Sequence, residues 1–220
     1  MGAIIATFYA LGYTSKEMTE IVETIRFHTL VDLDLKNGFI RGKNIMKFLW
    51  KYINGREFKD TKIPLSIVAT DIDTGEKIVF REWSILDAIR ASISIPWLFS
   101  PHKYNGHTLV DGGLTENLPV EILPEWNIIA VTVQIPMNEK KKRQKKFTLF
   151  PEWTLFSNSY YILRKTIGIM IAQNEIRSRA SRKDIIVIQP WRHEIDYYDF
   201  RQKNTMIEAW YSEAKKILQW

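Results

Sequence analysis

Residues 91–120 read ASISIPWLFSPHKYNGHTLVDGGLTENLPV, and this stretch decides the fold. A helix-like run ends at Ser94-Ile95-Pro96. A short aromatic segment follows, then Gly106, then a small apolar strand that delivers Asp111-Gly112-Gly113. An acid at a strand end, set between apolar residues and a glycine pair, is where a general base is often placed. Glycine lets the backbone turn sharply and approach a ligand closely. Read from residues alone, the commoner role of an acid beside glycine is that of a turn acid capping local N–H groups, and Asp111 fits that reading first.

Working outward, helical periodicity marks residues 2–11 and 15–27, with Ser15 as the expected N-cap. Residues 43–53 place Ile45, Phe48, Leu49 and Tyr52 on one face, which predicts a third helix. Residues 65–70 read as a buried strand, and 77–80 as its return across an Asp71-Ile72-Asp73-Thr74-Gly75 turn. Residues 84–92 are helical, with Ile85, Ala88 and Ile89 apolar. Strands are predicted at 127–135 and 184–189, and helices at 152–179 and 204–218, the last capped by Asn204. Strands alternating with helices argue a layered α/β fold. No repeat, linker or low-complexity segment interrupts this order, so 1–220 reads as a single domain.

Composition narrows the function classes. The 220 residues are 45% hydrophobic and 13% aromatic, a globular balance. With no cysteine there is no disulfide framework and no thiolate metal site. No apolar run is long enough to span a bilayer, and Gly2–Leu11 lacks the basic start of a signal peptide. A cytoplasmic location is expected. The net charge of +6 is concentrated at Lys140, Lys141, Lys142, Arg143, Lys145 and Lys146, followed by Phe147, Phe150, Trp153 and Phe156. Cations beside aromatics suit an anionic membrane surface, where each cation contributes about 1 kcal/mol. Peripheral membrane contact through Lys140–Phe156 is one reading, and a solvated loop is the other. No nucleic-acid motif accompanies the charge, so no nucleic-acid partner is expected.

The four histidines, His28, His102, His107 and His193, show no metal-ligand spacing, and no metal is assigned. His102 and His107 read as residues of a polar loop, not as triad members. Asp71-x-Asp73-x-Gly75 opens like a calcium loop but lacks the rest of that pattern, so a hairpin turn is expected. Ser92 and Ser94 sit at a helix end outside any Gly-x-Ser-x-Gly and read as structural.

Several blocks now stand in order: residues 63–75 (IPLSIVATDIDTG), Ala91-Ser92-x-Ser94-x-Pro96, Gly106, Asp111-Gly112-Gly113 and Asn117-x-Pro119. The order resembles the patatin-like phospholipases. The closing Gln189-Pro190 and a final helix with Glu208, Ala209 and Tyr211 resemble the bacterial branch related to neuropathy target esterase. The resemblance implies a central, mostly parallel sheet flanked by helices. It implies Asp111 as general base of a Ser-Asp dyad, within the motif Asp111, Gly112, Gly113. Met1 and Gly2 then match the end of a Gly-x-Ser-x-Gly elbow, Met1 being the residue after the serine. The serine, the first strand and the glycine-rich oxyanion loop are expected upstream of residue 1, so the chain as given is expected to be inactive. Lipid esters are the implied substrates, water the acceptor, and no cofactor is required. The rival reading is a non-catalytic lipid- or membrane-binding module on the same fold.

Overall fold

The computed structural model describes residues 1–25, 27–30, 32–34, 39–96, 98–124, 127–133, 157–189 and 202–219. They fall into two compact units, Met1–Asn117 and Leu118–Trp220.

In the first unit, α1 (Gly2–Ala10) buries Thr7, Phe8 and Ala10. The N-cap of α2 (Ser15–Thr24) is Thr14, one residue before the expected Ser15. Thr14 Oγ1 accepts the Glu17 N–H at 3.2 Å while Glu17 Oε2 accepts the Thr14 N–H at 2.7 Å. This reciprocal capping box satisfies two orphan donors at once, which is why Thr14 outcompetes Ser15. A short α3 (Phe27–Leu30) precedes the antiparallel pair β1 (Leu33–Asp34) and β2 (Phe39–Ile40). Helix α4 (Lys43–Ile53) coincides with the predicted span, and Leu49 and Ile53 enter the core with Ile45, Phe48 and Tyr52 packed around them.

Next come β3 (Ile67–Asp71), β4 (Lys77–Phe80), α5 (Ile85–Ser92), β5 (His102–Tyr104), β6 (His107–Asp111) and α6 (Gly113–Glu116). The sheet order is β4-β3-β6-β5, with every neighbouring pair antiparallel. All five residues of β3 are buried, so both its faces are covered. Helix α5 packs across β3, β6 and β5, and its Ile85, Ala88 and Ile89 are wholly buried. Burial of each such isoleucine contributes about 1.5–3 kcal/mol relative to exposure. Ser84 caps α5 by accepting the Asp87 N–H.

In the second unit, β7 (Ile128–Val131) and β8 (Ile185–Ile188) pair in parallel, and α7 (Ser157–Ser181) lies between them in the chain. Parallel neighbours need a crossover of this kind. Leu118, Val120, Ile128 and Ala130 form the core here, with Ile185 and Val187 against it. Buried Glu175 receives the Thr132 hydroxyl at 2.9 Å and Arg179 Nη2 at 2.6 Å, so its charge is matched. Closing helix α8 (Lys203–Leu218) begins after Gln202, ahead of the expected Asn204 cap.

The layered α/β class is what the described residues form. Strand directions are mixed, antiparallel through β4-β3-β6-β5 and parallel in β7-β8. The segment Lys140–Phe156 lies outside the described residues. Among those described, no helix is long and apolar enough to cross a membrane.

Candidate active site

Asp111 is the last residue of β6, opposite Ala69 of β3. Its N–H donates to the Ser94 carbonyl at 3.0 Å, and its own carbonyl accepts the Thr70 hydroxyl at 3.0 Å. Thr70 Oγ1 also lies 2.9 Å from Thr115 Oγ1, which donates to the Gly112 carbonyl at 3.3 Å. The backbone is thereby held from the sheet side and from α6. The side chain folds forward, and Asp111 Oδ1 accepts the Gly113 N–H at 2.7 Å. Among the described residues Oδ2 has no hydrogen-bond partner.

The two glycines owe their place to contact, not to turning. Gly112 has φ −64° and ψ −21°, open to any residue. A Cβ there would lie 2.3 Å from the Val68 carbonyl oxygen, an impossible overlap with β3 backbone. A Cβ on Gly113 would lie 2.9 Å from Asp111 Oδ1 and 3.1 Å from Asn117 Oδ1. The expectation of a sharp glycine turn is therefore corrected to close packing of the loop on β3 and on the acid itself.

Burial pushes the Asp111 carboxyl above the ordinary carboxylate range, against the Gly113 N–H and the terminal ammonium of Met1, which both draw it down. Burial likewise lowers the pKa of that ammonium, and Asp111 raises it. The Met1 residue as a whole is exposed, yet its nitrogen lies near enough to Asp111 for their charges to interact. The start of α1, with Gly2 as its first residue, is thus presented to Asp111. The structure brings together Asp111, Gly112, Gly113 and Met1.

The histidines go elsewhere. His102 and His107 are strand residues, not the polar loop expected, because Asn105 and Gly106 make a tight hairpin between them. His102 Nε2 lies 3.1 Å from Asp87 Oδ1, and His107 Nδ1 lies 2.6 Å from Asp71 Oδ2. Ser94 is fully buried and donates to the Arg90 carbonyl at 2.7 Å. The Asp71 turn closes on itself, Oδ1 accepting the Asp73 N–H at 2.9 Å. No group of three metal-ligating side chains occurs among the described residues. Sequence reasoning missed Thr70, Thr115 and Arg90. A hydroxyl in an otherwise apolar strand and a cation on an apolar helix were the available signals.

A family model described as patatin-like phospholipase matches residues 1–124. An uncharacterised Bacillus subtilis protein, YqhO, is 30% identical over 188 residues, covering 68% of this chain and 65% of its own length. An uncharacterised NTE family protein of Mycobacterium tuberculosis is 28% identical over 142 residues, covering 63% of this chain and 39% of its own. A probable lipid hydrolase, 463L, of Invertebrate iridescent virus 6 is 25% identical over 181 residues, covering 71% of this chain and 58% of its own. The chain thus spans between about two fifths and two thirds of these relatives.

Proposed function

The chain belongs to the patatin-like phospholipase family, and on that premise we propose that it forms the general-base half of a lipid acyl-ester hydrolase. The observation that carries this reading is Asp111, a desolvated carboxyl with Oδ1 anchored by the Gly113 N–H and its charge within reach of the Met1 nitrogen at the start of α1. Desolvation raises basicity, and a base must come within about 2.6–3.2 Å of the proton it takes, directly or through one water. The 220 residues hold no Gly-x-Ser-x-Gly. We place the nucleophilic serine in residues preceding Met1, which α1 would aim at Asp111. Oδ2 takes the hydroxyl proton as the serine oxygen attacks the ester carbonyl. The proton then passes to the departing alcohol; water, deprotonated by the same carboxylate, attacks the acyl-serine, and that proton returns to the serine oxygen as the acid leaves. Imidazole has no part in these steps.

Two supports are chemical and one is comparative. The Gly113 N–H holds the carboxyl by Oδ1. Glycines at 112 and 113 leave room for the acid to sit against the backbone. One similar protein is described as a probable lipid hydrolase. Contact with anionic membrane through residues 140–156 belongs to this proposal, as the means of reaching a lipid substrate.

A fluorophosphonate probe tests the assignment. The 220-residue chain should stay unlabelled. A chain extended upstream through a Gly-x-Ser should label stoichiometrically, and Asp111→Asn in it should slow ester hydrolysis about 100- to 10,000-fold. Labelling of Ser92 or Ser94, or full turnover by Asp111→Asn, would sink the reading.

A further inference from the structure

A cleft of ≈ 620 Å³ opens beside α4, lined also by residues of α5 and β5. Its walls are rich in cations. Lys43 and Lys47 stand four residues apart on α4, where like charges repel by about 0.2–0.5 kcal/mol. Among the described residues neither ammonium meets a carboxylate. Arg41 adds a third cation from the segment ahead of α4.

Arg90 is the fourth, and its surroundings are unusual. It is only 8% exposed, yet its guanidinium contacts neutral oxygens alone. Nη1 donates to Ser94 Oγ at 2.6 Å, and Nη2 to the carbonyls of Arg41 and Ser100 at 2.8 and 2.9 Å. A guanidinium carries five N–H groups, so donors remain. Burial draws the Arg90 pKa down, and only the charge of Asp32 opposes this. Both Asp32 carboxylate oxygens are already committed to the N–H groups of Gly42 and Lys43, each at 2.8 Å. Asp87, the one carboxylate lining the cleft, is bonded to His102. A buried cation without an anion in contact is costly.

Trp50 supplies a different chemistry. It lies three residues beyond Lys47 on α4, lines the same cleft, and is 53% exposed. An exposed indole beside Lys43, Lys47 and Arg90 suits a molecule that is anionic at one end and apolar at the other.

We propose that this cleft binds the phosphate group of an anionic amphiphile, with the phosphate between Arg90, Lys43 and Lys47 and the apolar chain along Trp50. The site is separate from Asp111. Asp111 does not line the cleft, and Arg90 links the two regions through Ser94, whose Oγ accepts from Arg90 Nη1 and whose carbonyl accepts the Asp111 N–H.

Calorimetric titration of the 220-residue chain decides the matter, using a short-chain lysophosphatidic acid below its micellar concentration, a monoacylglycerol of the same chain, and inorganic phosphate. The lysophosphatidic acid should bind saturably, inorganic phosphate at least tenfold more weakly, and the monoacylglycerol not measurably. Lys43→Gln/Lys47→Gln, both solvent-facing and tolerant of change, should weaken binding at least tenfold with an unaltered circular dichroism spectrum. Trp50→Ala should weaken the amphiphile but not phosphate. Asp111→Asn should change nothing, which keeps this site distinguishable from the hydrolytic one. Parent-like affinity in the double lysine variant would overturn the proposal, as would loss of binding in Asp111→Asn. Equal affinity for phosphate and the amphiphile would remove the amphiphile as the ligand.

Discussion

Asp111 gives up hydration for one backbone hydrogen bond and a partly offsetting positive charge. Its folded-state pKa therefore lies above the unfolded value of about 3.9. A carboxyl raised in this way contributes most favourably below the unfolded pKa, and that contribution is lost as pH rises through the folded pKa. At neutral pH its ionised form costs stability. Asp111→Asn, which keeps an oxygen for the Gly113 N–H, is expected to raise Tm at pH 7, with the gain shrinking toward pH 3. A variant that melts lower than its parent at pH 7 would show that burial does not govern this carboxyl. Gly112→Ala should destabilise by about 1–3 kcal/mol, the usual cost of overpacking, because the new methyl meets the Val68 carbonyl and not a movable side chain. Gly113→Ala presses instead on the Asp111 carboxylate, so its loss of hydrolysis should exceed its loss of stability. Chemical denaturation of both variants, set beside turnover of the extended chain, checks this contrast.

At the scale of elements, the hairpin β5–β6 fixes which way Asp111 faces. Asn105 and Gly106 adopt φ of 47° and 84°, the paired left-handed conformation of a two-residue hairpin turn. They set Tyr104 opposite His107, and a one-residue slip would turn Asp111 to the other face. Gly106→Val should cost about 1–2 kcal/mol, the penalty of left-handed backbone for a side chain with a Cβ, measured by urea unfolding. The Asn-Gly pair is readable in the sequence, but His102-Lys103-Tyr104 carries no apolar alternation and so gives no strand signal. Helices were more legible. The stripes on 43–53 and 84–92 point inward as their spacing dictates, since burying them is what makes those helices stable. Asp111-Gly112-Gly113 was legible as a block, but not the reason for its glycines. That reason is the carbonyl of Val68, which is 44 positions earlier in the chain and reaches Gly112 only through β3–β6 pairing. Thr70 and Arg90 were hidden likewise, their partners being backbone atoms of distant segments.

For the whole molecule, a net charge of +6 and a pI near 9.3 predispose it to anionic surfaces. Co-sedimentation with vesicles containing anionic lipid should fall as salt rises, since exposed charges are screened over about 10 Å at 0.1 M. Replacing the six basic residues of 140–146 with Gln should abolish most of that binding, and vesicle binding equal to the parent would refute the membrane contact. The charge interaction between the Met1 nitrogen and Asp111 carries a practical lesson for anyone preparing the protein. Any residue joined ahead of Met1, whether upstream sequence or an affinity tag, replaces that ammonium with a neutral amide. The extended chain would then hold the Asp111 carboxyl protonated to higher pH than a chain that starts at Met1. Acid titrations of a chain that starts at Met1 and of one extended ahead of it should not be pooled.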